Sequence, residues 1–128
     1  MIDIRFEDAF AYVTITEEVD GHEVFMSATH FIDRDIVNDL DCYNVLFTIN
    51  SEEDIRELNL TRSTKVAICK KLKVVWRELV ATVIEQFGEE CCFKCLAYTE
   101  DGNGDQRIVN YKKQGFELAD DGFMYFTP

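Results

Sequence analysis

The 128-residue sequence predicts an α+β domain in which a mixed, mostly antiparallel sheet carries one long helix and a shorter C-terminal helix packed on it. Three observations lead there. Apolar and polar residues alternate through most of the first 32 positions, the period of a half-buried strand. Apolar residues then recur at three- and four-residue steps from about Ser63 to Phe87, the period of a helix. Beyond that helix, signals for a strand, a Gly/Asp-rich turn, a helix and an aromatic hairpin follow one another to the end.

Taken in order, Ile2–Phe6 and Phe10–Thr16 read as antiparallel strands joined at Glu7-Asp8, and Val24–Ile32 repeats the pattern after a turn at Asp20-Gly21. The segment Asp33–Asp41 reads as one helical turn or a loop. Tyr43–Ile49 is a continuous apolar run, as expected of a central strand buried on both faces. Ser51-Glu52-Glu53-Asp54 has the pattern of a helix N-terminus and suggests a short helix through about Leu58. In the long helix, Ile68, Leu72, Val75, Trp76, Leu79, Val83 and Phe87 form the apolar stripe, and Gly88 stops it. At this length it spans roughly 36 Å. Phe93–Thr99 is a strand, and Asp101–Asp105 is turn and N-cap chemistry. Asp105–Gln114 is a helix with Gly115 just past its end, and Phe116–Leu118 and Phe123–Thr127 close as a hairpin.

Composition supports a single domain over residues 1–128, large enough to bury about two-thirds of its unfolded surface. Ten phenylalanines and five tyrosines imply an aromatic core. No basic-then-apolar leader and no apolar run of membrane-spanning length occurs, so a cytoplasmic protein without a membrane segment is expected. Five cysteines, odd in number and irregular in spacing, suit free thiols better than a disulfide framework. Cys92 and Cys95 fall on opposite faces of a strand, and no nearby ligand completes a metal site.

The net charge is −12, but it is unevenly spread. Of the 13 basic residues, Arg62, Lys65, Lys70, Lys71, Lys73 and Arg77 lie in a stretch with no acidic residue, so the rest of the chain carries seven against 25. A globally acidic protein is poorly attracted to nucleic acid or anionic lipid. Cations near a helix N-terminus oppose the helix dipole, and a bound anion offsets that repulsion. A solvated face paired with carboxylates elsewhere is the alternative reading. Tyr111, in the last turn of its helix, has the chemistry of a general acid toward a leaving group, or is core with its hydroxyl at the rim. His22, Glu23 and His30 stand on or beside the N-terminal strands as candidate general bases that no motif marks.

The order of strands, long helix, strand, helix and terminal hairpin resembles the GNAT superfamily of acetyl-CoA-dependent N-acetyltransferases. The local likeness is strongest at Arg107–Glu117, which looks like that family's last helix running into Tyr-x-Lys-x-Gly-Phe. The resemblance implies that Tyr111 protonates the leaving thiolate of coenzyme A. It also aligns Arg62-Ser63-Thr64-Lys65-Val66-Ala67 with the loop and helix start that hold the cofactor pyrophosphate, implying acetyl-CoA contacts by Arg62, Lys65, Val66 and Ala67. Lys65 stands where the family has a glycine; its side chain either fills the space that lets the backbone approach a phosphate or meets phosphate through its ammonium as a point charge.

Two departures bear on function. Only Glu7-Asp8 separate the first two strands, where the family usually places two helices that shape the acceptor site. An acidic insertion also separates Ile49 from Arg62. A reduced or degenerate GNAT-like protein, of a kind also found among small phage-encoded proteins, fits this pattern. Two functions follow from the resemblance. In one, an acyl group passes from a coenzyme A thioester to an amine. In the other, a catalytically inactive fold binds or inhibits a protein partner through its acidic surface, mimicry of nucleic acid included.

Overall fold

The computed structural model describes residues 1–52, 59–96 and 111–128. It is α+β, with a mostly antiparallel, open sheet of eight strands, one long helix and a short one. Strands β1 (Ile2–Glu7), β2 (Phe10–Val19) and β3 (His22–Phe31) form a meander. Its turns are two-residue loops, Asp8-Ala9 and Asp20-Gly21, with positive φ at all four residues. That backbone twist matches the twist of the flanking strands, which is why the hairpins are tight.

The segment expected as a helical turn or loop is a third such hairpin. Strand β4 (Ile36–Val37) turns through Asn38-Asp39, again with positive φ, onto the start of β5 (Leu40–Ile49). Asn and Asp tolerate the left-handed region because their short polar side chains satisfy nearby backbone. The expected capping of a helix at Ser51 also gives way. Asn50 and Ser51 are left-handed, and Glu52 bridges back to Ile49. The remainder of that expected helix, residues 53–58, lies outside the described residues, as do residues 97–99 of the expected strand Phe93–Thr99, the Asp101–Asp105 turn and residues 105–110 of the expected Asp105–Gln114 helix.

Helix α1 (Arg62–Phe87) begins one residue earlier than its apolar repeat suggests. Thr61 is the N-cap, its hydroxyl accepting from the Thr64 N–H at 3.3 Å. Gly88, at φ 107, closes the helix by donating its N–H to the Ile84 carbonyl. Strand β6 (Cys91–Leu96) follows, and Tyr111–Lys113 are helical. Strands β7 (Glu117–Leu118) and β8 (Phe123–Phe126) make the closing hairpin.

The sheet order is β1-β2-β3-β5-β6-β8-β7, with β4 beside β5. Every pairing is antiparallel except β5 with β6. Helix α1 packs on the face that carries Ala11, Val13, Ile15, Met26, Ala28, Tyr43, Phe93 and Met124, meeting it with Val75, Trp76, Leu79 and Val83. Burial of this apolar stripe is the main source of stability, at about 25 cal/mol for each Å² removed from water. The expectation that β5 is buried on both faces is not met: Cys42, Tyr43 and Ile49 are buried, while Leu46 and Asn44 are exposed. Its apolar run exceeds what α1 covers because the helix seals one face. No helix among the described residues is long and apolar enough to cross a membrane.

Candidate functional site

The first two turns of α1 carry four of the five residues singled out by the sequence. Arg62, Lys65 and Val66 are exposed and Ala67 is half-buried. Ile68 anchors these turns by packing in a small cluster with Val24 and Ile49, so the positive end of the helix sits beside the C-terminal end of β5. No acidic side chain occupies the first turn, so the helix dipole and two cations act together there.

Strands β5 and β6 share only a short ladder among the described residues. The two strands pair in parallel only from Asp41/Cys91 to Asn44/Lys94. Beyond that, Cys95 and Leu96 pair with β8, while Val45–Ile49 follow β3. Open sheets take ligands where parallel strands part at their C-terminal ends, and a helix N-terminus beside such a place favours an anion.

Tyr111, the fifth residue, stands at the end of the short helix. Its carbonyl accepts from the Gln114 and Phe116 N–H groups as the chain turns through Gly115 at φ 98. This brings Phe116 back under the Tyr111 ring, with centroids 5.8 Å apart, and Phe116 in turn lies 5.1 Å from Trp76. Tyr111 is half-buried against the main core. Trp76 is 14 residues along α1 from Arg62, or about 21 Å. The structure therefore does not bring Tyr111 and the first turn together as one cluster. They mark two places along α1.

The candidate bases have different surroundings. Asn50 closes the end of β5: its Oδ1 accepts from the Glu23 N–H at 2.8 Å, and its Nδ2 lies 2.9 Å from His22 Nδ1. An amide nitrogen only donates, so His22 Nδ1 accepts, and the neutral ring carries its proton on Nε2. His22 thus keeps Nε2–H as a donor, with its acceptor nitrogen already engaged, and does not offer a base. His30 is not the surface residue its strand position suggests. It is 1% exposed, its Nδ1 donates to the Cys42 carbonyl at 2.8 Å, and its Nε2 lies 3.6 Å from Asp41 Oδ1. His30 ties β3 to β5 under the Tyr43 ring, 4.8 Å away. Glu23 is exposed.

As the strand reading requires, Cys92 and Cys95 lie on opposite faces of β6, Cys95 on the α1 side with the core. Burial pushes the Cys42 and Cys95 thiols up to about 12 and Cys91 up to about 11, and it raises Cys92 as well. These thiols are poor nucleophiles. Cys69 on α1 is exposed.

At the other end of β6, a cavity of about 460 Å³ is lined in part by Leu40, Cys92, Glu117, Asp121 and Tyr125. Here Tyr125 donates to Asp121 Oδ2 at 2.6 Å, which pushes the phenol up to about 12 and draws the carboxyl down. Neither residue was marked by the sequence, since an Asp four positions before a Tyr in a hairpin has no distinctive signature. The acidic lining is unsuited to phosphate. A smaller cavity of about 150 Å³, between Arg34, Asp35, Cys42, Asn44 and Lys94, lies on the open face of the sheet. Among the described residues no three His, Cys, Asp or Glu side chains are grouped to hold a metal ion. No protein-family model, curated protein or solved structure with which the chain was compared matches it.

Proposed function

We propose that the chain is a GNAT-like acyltransferase that moves an acyl group from a coenzyme A thioester to an amine. The observation that carries this reading is the parting of β5 and β6 beyond Asn44 and Lys94, beside the cationic N-terminus of α1. Arg62 and Lys65 bind the pyrophosphate through their side chains at the positive end of α1. The Val66 and Ala67 N–H groups are held inside the helix, whose ladder already includes the bond from Lys65 N–H to the Thr61 carbonyl. The pantetheine arm enters between the two strands. The amine nitrogen attacks the thioester carbonyl, the C–N bond forms and the C–S bond breaks. Tyr111 gives its phenolic proton to the departing thiolate, the surplus ammonium proton leaves to water, and water returns a proton to the Tyr111 phenolate.

A second reading has its own support. His22 presents a donor and His30 is buried, so neither histidine supplies the general base, and Lys65 replaces a phosphate-hugging glycine. A catalytically inactive acidic protein that acts by binding another protein fits those facts. Calorimetric titration with acetyl-CoA separates the two. Micromolar binding that Lys65→Glu abolishes, with turnover lowered by Tyr111→Phe at unchanged binding, is expected of the enzyme. Absence of binding at millimolar cofactor removes the enzyme reading.

A further inference from the structure

The outer edge of β1 is the least protected part of this sheet. At the opposite edge lies β7, only two residues long, whereas β1 presents six residues with no strand beyond them among the described residues. Long, apolar, unpaired edges invite another strand. Ile2, Ile4 and Phe6 face the α1 side, and they remain 42%, 39% and 56% exposed although Phe6 reaches Phe87, with ring centroids 6.4 Å apart. Helix α1 packs on β2 and β3, which leaves this row uncovered.

The backbone of β1 says which residues receive a new strand. Met1 exchanges both of its backbone bonds with Thr16. In an antiparallel ladder such pairs alternate, so Asp3, Arg5 and Glu7 also bond inward to β2. The N–H and C=O groups of Ile2, Ile4 and Phe6 therefore point outward. The same three residues carry the exposed apolar row.

We infer that β1 is a dimer interface, pairing antiparallel with β1 of a second copy about a two-fold axis at Ile4. That register pairs the largest part of the strand with complementary residues. Ile4 faces the partner's Ile4, Ile2 faces the partner's Phe6, and Asp3 faces the partner's Arg5. Each outward pair exchanges two backbone bonds. Shifting the axis to residue 3 sets Asp3 against Asp3, and shifting it to residue 5 sets Arg5 against Arg5. Odd registers turn the apolar row toward the wrong face. Within one chain Arg5 Nε already holds Asp3 Oδ2 at 2.8 Å, so pairing extends this contact into a four-residue charge ladder. Such an interface is isologous and closes as a dimer. With strands about 4.8 Å apart, the two α1 helices lie roughly 19 Å apart on one face, enough for two helices about 10 Å wide.

Sedimentation equilibrium over a dilution series tests this directly. The wild-type chain is expected to be a dimer that dissociates on dilution. Asp3→Arg and Arg5→Asp, each alone, set like charges opposite one another at both ends and are expected to give monomers. The double exchange restores opposite charges across the axis and is expected to restore the dimer. Ile4→Pro removes an outward N–H without taking a bond from β2, so a folded monomer is expected by circular dichroism. A wild-type chain that stays monomeric at its highest soluble concentration overturns the inference. A dimer that survives the single charge exchanges also overturns it, because the interface then lies elsewhere.

Discussion

Asn50 Nδ2 lies 2.9 Å from His22 Nδ1, while the other arm of the same amide accepts the Glu23 N–H at 2.8 Å. One side chain therefore fastens the end of β5 to the start of β3 and selects the His22 tautomer. Asn50 does so from a left-handed backbone, at φ 53. Asn50→Ala removes both bonds and leaves an alanine in that strained region. A loss of about 2 kcal/mol is expected by urea denaturation. Nitrogen-15 spectra of the wild type should show the His22 proton on Nε2, and a protonated Nδ1 in the neutral ring would contradict the network.

The Tyr125 phenol, pushed up to about 12 by its bond to Asp121, gives the fold an alkaline limit. Below pH 10, the ordinary tyrosine value, folded and unfolded chains both keep the proton and this contribution is fully present. Between pH 10 and about 12 the unfolded chain releases its proton first, so stability falls as pH rises. Ultraviolet titration should find Tyr125 ionising late, and Asp121→Asn should move that step back toward the ordinary tyrosine range.

The thiols should divide into one fast and four slow reactors toward a disulfide reagent at mildly alkaline pH. Cys69 is exposed on α1, whereas burial holds Cys42, Cys91, Cys92 and Cys95 as neutral thiols. Cys69→Ser should abolish the fast phase. A second fast thiol would mean that the β5–β6 junction opens readily.

Two substitutions involving glycine should act in opposite directions. Ala9 holds φ 64 in the first hairpin, so Ala9→Gly relieves left-handed strain and is expected to stabilise by about 1 kcal/mol. Gly115 holds φ 98, and an added Cβ would meet the Phe126 ring at 2.9 Å. Gly115→Ala is expected to cost about 2 kcal/mol or more, because conformation and packing both oppose it. Thermal melts of the two variants displaced to opposite sides of the wild type would bear this out.

The sequence by itself determined the elements whose signals are local. Alternation in residues 2–32 specifies the meander, because strand side chains alternate every second residue. The Ile68-to-Phe87 stripe specifies α1, because three- and four-residue steps return to one helix face. The Gly115-Phe116 stop is equally local, since a left-handed residue must follow the last helical turn. Local signals misled at Ser51, where the left-handed backbone of Asn50 and Ser51 overrode a capping pattern, and at Asp33–Asp41, where Asn38-Asp39 makes a hairpin. Only the tertiary structure decided which strands are neighbours. Parallel pairing of Cys42 with Cys92 joins residues 50 positions apart, and no periodicity encodes it. The same holds for the burial of His30 beneath Tyr43, the Asp121–Tyr125 bond and the exposure of Ile2, Ile4 and Phe6. An alternating strand announces that one of its faces is apolar. What covers that face depends on where a distant helix comes to rest, and α1 rests on β2 and β3.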